Sequence, residues 1–156
     1  MPLRRHRRFW LLAGMALAGC ASLPRILPYT DPLSPEEHVQ LAGAYSAQGN
    51  AGLSQKQYEA ALKKQKKSFP ALMGLGNLAF EKGDWKRAEK YFRKALRVSP
   101  DNPGAGNNLA MTYLKEGKRL KEAQALVEGS LEKAGPLRPY LLDTLEQIRA
   151  ARKKLE

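Results

Sequence analysis

Cysteine and histidine, two residue types often used in covalent and acid–base chemistry, are scarce in this sequence. The 156 residues include one cysteine, Cys20, and two histidines, of which only His38 follows that cysteine. Catalysis needs a nucleophile, a base or metal ligands that are placed together. His38 falls at a position expected to carry a large packing residue, which favours a structural or exposed role. Glu36 and Glu37 suit the first turn of a helix, where the helix dipole favours acids. The sequence therefore predicts a protein without enzymatic activity, metal or cofactor.

Cys20 ends a segment with the layout of a secretory signal. The chain begins with a basic stretch that contains Arg4, Arg5, Arg7 and Arg8. An uncharged apolar run from Phe9 to Gly19 follows it, and the two correspond to the n-region and h-region of such signals. The run of about eleven residues is too short to cross a bilayer as a helix, since spanning takes roughly twenty. The pattern therefore predicts export and not a membrane-spanning helix.

The stretch Leu17-Ala18-Gly19-Cys20 resembles the lipobox of bacterial lipoproteins. This resemblance implies that residues 1–19 are cleaved off, that the Cys20 sulfur is diacylated and that its new amine is acylated. Two alternatives stay open: a buried core cysteine, and a twin-arginine export signal at Arg7-Arg8 in place of a plain n-region. Ala21 follows the cysteine, where an aspartate typically retains such lipoproteins in the inner membrane. We therefore expect a lipid-anchored protein of the bacterial cell envelope, at the outer membrane and facing the periplasm.

Residues 20–34 link this cysteine to the rest of the chain. Prolines at 24, 28 and 32 punctuate the link, and proline at this density favours extended backbone. Removal of the signal takes away four arginines and no acids, which lowers the formal net charge from +12 to about +8. A single cysteine provides no disulfide framework. The sequence predicts an extended tether and a basic domain that is held together by packing alone.

Beyond the tether the sequence repeats itself with a period of 34 residues, which is a length typical of helical repeats. Leucines, small residues and glycines recur in step, and larger apolar residues recur after each glycine. One residue is inserted near Leu120, where the pattern predicts a turn. The columns are Leu41, Leu75 and Leu109; Ala42, Gly76 and Ala110; Tyr45, Ala79 and Tyr113; Gly49, Gly83 and Gly117; Tyr58, Phe92 and Val127; and Ala61, Ala95 and Ser130.

The middle unit shows most clearly what each repeat folds into. Apolar residues from Leu72 to Ala79 recur at three and four residues, as on one face of a helix. Gly83-Asp84 interrupts this pattern, and a second apolar stripe then runs from Trp85 until Pro100 ends it. Each unit is thus predicted to be a helical hairpin, with the small residues Gly76 and Ala88 where the helices cross closely. Because one hairpin cannot bury both its faces, the units are expected to stack and share a core.

The unit resembles the tetratricopeptide repeat family in its length and marker residues. The resemblance implies an all-α, right-handed superhelical solenoid of about three hairpins, at residues 35–68, 69–102 and 103–136, followed by a capping helix at 137–156. In the first unit Lys66 stands where the family has proline, so its second helix is expected to run on to Ser68. In the capping helix, Leu142 and Leu145 are expected to pack, with Glu146 in place of the small residue. The markers in the second unit are Leu72, Leu75, Gly76, Phe80, Gly83, Ala88, Phe92, Ala95 and Pro100; those in the third are Leu109, Ala110, Tyr113, Gly117, Ala123 and Ser130.

The same resemblance implies that the chain binds a peptide or protein segment in a concave groove lined by the first helix of each unit. The predicted lining is neutral and partly apolar: asparagine can donate to and accept from a peptide backbone, while Met and Phe offer adaptable apolar contact. As an alternative, Phe80, Met111 and Leu114 pack only against neighbouring helices. The lining residues are Val39, Met73, Asn77, Phe80, Asn107, Asn108, Met111 and Leu114, with Gly43 and Ser46 beside them.

Some members of this family grip a terminal carboxylate with a clamp of asparagines and basic residues. Asn77 and Asn108 fall at the two asparagine positions of that clamp. Met73 stands at its first lysine position, however, and Tyr140 and Thr144 stand at its last two basic positions. Because the cations are missing, a carboxylate clamp is not expected.

Positive charge is expected on the outer, convex side, along the second helices. Such charge runs usually form a solvated helix face, but here acids do not balance the bases. On a lipid-anchored domain this surface is suited to contact anionic lipid or a cell-wall polymer, and the predicted location argues against nucleic acid. The basic convex residues are Lys63, Lys64, Lys66, Lys67, Lys86, Arg87, Lys90, Arg93, Lys94 and Arg97.

Together these patterns predict a lipid-anchored adaptor or scaffold that binds a protein partner and supports assembly of an envelope complex. An alternative is an accessory subunit of an envelope peptidase or export system. The stretch before the repeats, from Leu23 to His38, looks like the one that precedes repeats in some envelope lipoproteins associated with papain-like peptidases. The sequence carries no peptidase motif of its own, so in that case the chain would be a partner of the enzyme.

Overall fold

Helices follow one another through the part of the chain that the computed structural model describes, residues 31–155. No strand occurs within these residues, and the predicted all-helical fold is confirmed. A short 3₁₀ helix (Gly135–Leu137) precedes the last α-helix. The α-helices are α1 (Pro35–Ala47), α2 (Ala51–Lys64), α3 (Phe69–Glu81), α4 (Trp85–Val98), α5 (Pro103–Glu116), α6 (Leu120–Ser130) and α7 (Arg138–Lys153).

The helices pair into three antiparallel hairpins, α1 with α2, α3 with α4, and α5 with α6. The second helix of each hairpin packs on the helix that follows, so α4 contacts α5 and α6 contacts α7. The result is a stack of hairpins closed by α7, as the repeat pattern predicts. The Cys20 lipobox and the tether up to Thr30 lie outside the described residues.

Side chains fix where most of the helices begin. Ser34 and Glu37 form a capping box, in which the Ser34 N–H donates to Glu37 Oε2 at 2.7 Å and the Glu37 N–H donates to Ser34 Oγ at 3.2 Å. The first of these bonds, from the Ser34 backbone, holds the pKa of Glu37 below its ordinary value. Side-chain oxygens of Asn50, Asp84 and Asn102 cap α2, α4 and α5 in the same general way. These caps satisfy backbone donors that a helix start leaves free.

The recurring glycines lie in the turn inside each hairpin. Gly49, Gly83 and Gly117 have φ values of 73°, 71° and 70°, a left-handed conformation that glycine adopts without steric cost. The third turn carries the inserted residue, which places Arg119 before α6 with φ of 51°. Arg119 makes no side-chain cap, so this longer turn lacks the capping oxygen of the other two.

The turn between the first two hairpins corrects one expectation. Helix α2 does not run on to Ser68 but ends at Lys64. Ser68 has to be extended, because it is the residue that precedes the first turn of α3. Its N–H donates to Gln65 O at 3.0 Å, just as the Asn102 N–H donates to Ser99 O at 3.2 Å one repeat later. Lys66 therefore occupies the same kind of turn as Pro100, without proline.

The core depends on close approaches at glycine, two of which involve aromatic rings. A Cβ at Gly76 would overlap the Phe92 ring, which shows why the first helix of this hairpin needs a small residue there. A Cβ at Gly74 would overlap the ring of Tyr58 from the preceding hairpin. Gly76 therefore sets the spacing within a hairpin, and Gly74 sets the spacing between two hairpins. Sequence analysis did not single out Gly74.

The C-terminal helix packs in a different register from the expected one. Leu141, Thr144, Leu145 and Ile148 are buried, whereas Leu142 is 42 % exposed and Glu146 faces outward. The expectation for Leu142 is wrong because it shifts the repeat by two positions after the third unit. The single residue inserted before α6 shifts it by one, so the column of Ala110 falls at position 145. Leu145, not Glu146, takes the place of the small residue. Helix α7 packs on α5 and α6.

Candidate binding face of the first helices

The first helices of the hairpins lie next to one another, α1 beside α3, α3 beside α5, and α5 beside α7. Each turns one side toward its paired helix and another side toward its neighbours in the stack. The predicted lining residues fall on α1, α3 and α5, and seven of the eight occupy repeat positions that they share with another member. Val39, Met73 and Asn107, for example, are spaced by 34 residues and are all half-buried. Asn108 is the exception, since it falls at the repeat position of Gly74. We call the surface made by the eight predicted lining residues the binding face.

Two of the predicted residues form a direct bond across the stack. Asn108 Nδ2 on α5 donates to Asn77 Oδ1 on α3 at 3.0 Å. Asn77 is exposed and Asn108 is half-buried. Within the described residues these two amides form no other hydrogen bond, so Asn77 keeps its NH₂ donors and Asn108 keeps its carbonyl acceptor. The pair therefore offers a donor and an acceptor, held in fixed relation, to a polar group outside the protein.

Asn107 lies beside this pair in sequence but differs from it in environment. Its Oδ1 is enclosed and has no hydrogen-bond partner within residues 31–155. An enclosed amide oxygen without a partner is costly, typically by about 1–3 kcal/mol. Of the three asparagines, Asn107 is thus the one that the fold itself satisfies least.

The apolar residues of the face are shared with the core. Phe80 packs edge-on against Trp85, with ring centroids 5.3 Å apart and an interplanar angle of 68°. Met73, Phe80 and Leu114 all pack against the buried core while staying half-buried themselves. Phe80 and Leu114 therefore contribute to the core while each still presents part of its surface. Met111 is half-buried as well.

The binding face carries no charged side chain among its eight residues. The two positions at which a carboxylate clamp would place its last basic residues are also uncharged. Tyr140 is 68 % exposed, and Thr144 is buried with its hydroxyl donating to Tyr140 O at 3.0 Å. A ligand at this face would therefore meet amides and apolar groups and no compensating charge for an anion.

His38 has a structural environment. Its side chain is buried between α1 and α2, and its Nδ1 donates to Gln57 Oε1 at 2.7 Å. No group of three or more His, Cys, Asp or Glu side chains in residues 31–155 is arranged to hold a metal ion. None of the helices described is long and apolar enough to span a bilayer.

The predicted basic residues differ in whether their charged groups form ion pairs or hydrogen bonds within the protein. Arg93 donates to Glu89 at 2.9 Å and to Glu122 at 2.7 Å, and Lys64 Nζ donates to the Leu33 carbonyl. Arg87 lies 3.9 Å from Asp84, a long and exposed pair. Within the described part, the other members form no ion pair or hydrogen bond: Lys63, Lys66, Lys67, Lys86, Lys90, Lys94 and Arg97.

Arg93 belongs to a network that sequence analysis missed. The buried Tyr113 hydroxyl donates to Glu89 at 3.2 Å, and the guanidinium groups of Arg93 and Arg119 lie 5.8 and 5.2 Å from the Tyr113 ring centroid. Arg119 also pairs with Glu89. Partial burial alone would raise the pKa of Glu89, but the bonds from Arg93, Arg119 and Tyr113 outweigh it and lower that pKa. The network joins α4 to α5 and to the start of α6.

Comparison with known proteins agrees with this architecture. Two family models described as tetratricopeptide repeat match residues 39–103 and 79–148, which together span well over half of the chain. Cellulose synthase operon protein C of Pseudomonas fluorescens (strain SBW25) is 40% identical over 70 residues. That match covers 45% of this chain but only 5% of the relative, so the chain corresponds to a small part of it.

Two solved structures share the fold at low identity. The Yersinia enterocolitica type III secretion chaperone SycD, in complex with a peptide of the translocator YopD, has a TM-score of 0.68 at 19% identity, over 75% of this chain and 93% of that one. The first TPR of Spaghetti (RPAP3), bound to the HSP90 peptide SRMEEVD, has a TM-score of 0.67 at 16% identity, over 80% and 95%. With its repeat period, its stacked hairpins and these matches, the chain belongs to the tetratricopeptide repeat family.

Proposed function

We propose that this chain is a lipid-anchored adaptor of the bacterial envelope that binds an uncharged, extended segment of a partner protein along the binding face. The observation that carries the proposal is the hydrogen bond between Asn108 and Asn77, which spans two hairpins and leaves one donor group and one acceptor available. An extended peptide presents N–H and C=O groups in alternation. The asparagine pair complements such a backbone without reading its side chains.

The surroundings of the pair favour apolar side chains on that segment. Met73 and Met111 are half-buried and flexible, and methionine adapts to ligands of varied shape. The binding face has no cation to pair with a terminal carboxylate. We therefore expect its ligand to differ from an acidic peptide such as the one bound to the first TPR of RPAP3. The peptide complexes of SycD and RPAP3 support a peptide ligand as a class. They do not bear on its sequence.

The lipobox at Leu17–Cys20 supports the location we propose. Acylation of Cys20 would hold the repeats at a membrane, and Ala21 favours the outer membrane over the inner one. The adaptor would then gather its partner at the membrane surface and support assembly of an envelope complex. Cys20→Ser is expected to abolish metabolic lipid labelling and to release the processed chain from membranes washed with high salt.

The binding face is tested once a partner has been identified by crosslinking the intact protein in its own cells. Purified partner is then titrated against the Asn77→Ala, Asn108→Ala double variant. We expect binding to weaken by about 1–3 kcal/mol for each lost amide, because ligand groups are left without hydrogen bonds. The thermal melt should hardly change, since both side chains are at least partly exposed.

The matched control replaces two hydrogen-bonded amides away from the binding face, the half-buried Gln124 of α6 and the exposed Gln147 of α7. Gln124→Ala with Gln147→Ala should leave the affinity unchanged. Blocking the C-terminal carboxylate of the bound segment should not change it either. If the asparagine double variant binds the partner as tightly as the unaltered chain does, the binding face is not the ligand site.

A further inference from the structure

One edge of the stack combines the point where the chain joins the repeats with a group of uncompensated lysines. The first helices begin and the second helices end at this edge, because each hairpin is antiparallel. The compact unit of helices begins there at Leu33, whose carbonyl accepts a hydrogen bond from Lys64 Nζ at the end of α2. We call this side of the stack the Leu33 edge.

Three further lysines lie next to Lys64 in the chain. Lys63 lies in the last turn of α2, and Lys66 and Lys67 form the turn that follows. All three are exposed, and none forms an ion pair or hydrogen bond within residues 31–155. One repeat later, Arg97 takes the position of Lys63 and is exposed and unpaired in the same sense. The positive charge therefore extends from the first hairpin to the second.

Acidic groups at the same edge do not cancel this charge. Glu36 and Glu37 lie in the first turn of α1, so two carboxylates stand against the four lysines at positions 63, 64, 66 and 67. In the third hairpin the balance is different, since Lys133 pairs with Asp101 of the preceding turn at 2.6 Å. The excess is thus confined to the hairpins nearest Leu33.

The stability of helices α2 and α4 explains only some of these basic residues. A helix C-terminus carries partial negative charge and favours a cation in its last turn, which explains Lys63 and Arg97. Lys66 and Lys67 lie beyond the helix end, and Lys66 stands where the next repeat has Pro100. Helix stability does not call for either of them.

We propose that the Leu33 edge of the first two hairpins is an electrostatic docking surface for an anionic lipid bilayer. The inference builds on the proposed lipid anchor, because the segment that carries Cys20 joins the repeats at this edge. Basic residues near an anionic membrane surface each contribute about 1 kcal/mol, a factor of about five in binding. The binding face lies along the sides of the first helices, not at their ends, so it stays open when the edge docks.

The test omits the lipid so that it does not depend on acylation. The chain from residue 21 onward is used, since the described unit buries its own core. Its partition onto vesicles of phosphatidylglycerol and phosphatidylethanolamine is compared with that onto phosphatidylcholine alone. We expect clear binding to the anionic vesicles only. The variant Lys63→Gln, Lys66→Gln, Lys67→Gln should bind them about 100-fold more weakly, and about 1 M salt should abolish binding by screening.

A matched control removes the same charge from the opposite edge. Lys115→Gln, Lys121→Gln, Lys153→Gln alters exposed lysines at the other ends of the helices and should reduce vesicle binding by less than about fivefold, the effect of one residue at the surface. Equal losses in the two triple variants would show that net charge alone acts, which overturns the proposal. Binding to an anionic cell-wall polymer in place of vesicles would also overturn it. Partner affinity should be unchanged in the Leu33-edge variant, so failure here is distinct from failure of the binding face.

Discussion

The first and second hairpins have the same backbone plan but differ in how they are held together. Helix α3 buries seven residues, and its partner α4 adds Phe92, which is almost fully enclosed. Helices α1 and α2 bury only His38, Ala42, Ser54 and Ala61, none of them a large apolar side chain. The second hairpin thus buries more apolar side chains than the first, and we expect the first to depend on docking onto it. A repeat can keep the shape of its family while depending on its neighbour for stability.

The largest effect is expected at Phe92. Phe92→Ala removes the ring that fills the space beside Gly76 and should lower the free energy of unfolding by about 3–5 kcal/mol. Urea unfolding followed by circular dichroism measures this. If the first hairpin depends on the second, both should unfold in one transition. A change smaller than that of Tyr58→Ala in the first hairpin would reverse the comparison.

A smaller effect is expected where the two hairpins meet. Gly74→Ala places a methyl group against the Tyr58 ring, and overpacking of this kind typically costs about 1–3 kcal/mol. Because the clash is between hairpins, hydrogen exchange should increase in α1 and α2 more than in α4. Gly43→Ala serves as the control, since nothing lies within 4 Å of a Cβ there. Equal exchange in both hairpins would argue against a dependent first hairpin.

Lowering the pH should weaken the contact between the second and third hairpins, where Glu89 joins α4 to α5 and to the start of α6. The pKa of Glu89 is lower in the folded protein than in the unfolded chain. The stability it contributes is therefore present above the unfolded pKa and is lost as the pH falls through the folded pKa. Unfolding free energies measured from neutral to acidic pH should fall less steeply for Glu89→Gln than for the unaltered chain. Identical pH profiles would remove Glu89 from this role.

The smallest expected effect is a stabilising one, in the turn that ends the first hairpin. Lys66 occupies the turn position of Pro100, the residue before it is extended, and its N–H makes no hydrogen bond in the described structure. Proline at a compatible position restricts the unfolded chain, so Lys66→Pro should raise stability by about 0.4–1 kcal/mol. Calorimetry would detect this as a higher melting temperature. A lower one would mean that the two turns differ in backbone more than their hydrogen bonds suggest.

The sequence predicts the features that recur. The glycine column predicts the three left-handed turns. The two apolar stripes on either side of Gly83-Asp84 predict the hairpin, because each repeat applies the same steric requirement again. It does not predict features that occur once. The register of α7 depends on how one inserted residue is absorbed at Arg119. The contact of Gly74 with Tyr58 depends on where two separate hairpins meet.

The candidate site likewise has features that the repeat pattern predicts and features that it does not. The repeat pattern places Asn77 and Asn108 on neighbouring helices, and their side chains do meet. The pattern does not reveal that Arg93 forms an ion pair with Glu122, because Glu122 belongs to the next hairpin. Contacts between different repeats need three-dimensional positions, whereas membership of a face needs only the period.

The bond between Asn108 and Asn77 also connects the proposed binding face with the mechanics of the stack. A solenoid is an elastic body whose curvature changes as its hairpins tilt against one another, and this bond spans one such joint at 3.0 Å. A bend that opened the joint would part the two amides and leave their polar groups to separate partners. In the proposed binding mode, a segment that bonds to both amides at once would therefore fit the stack best at one degree of bending.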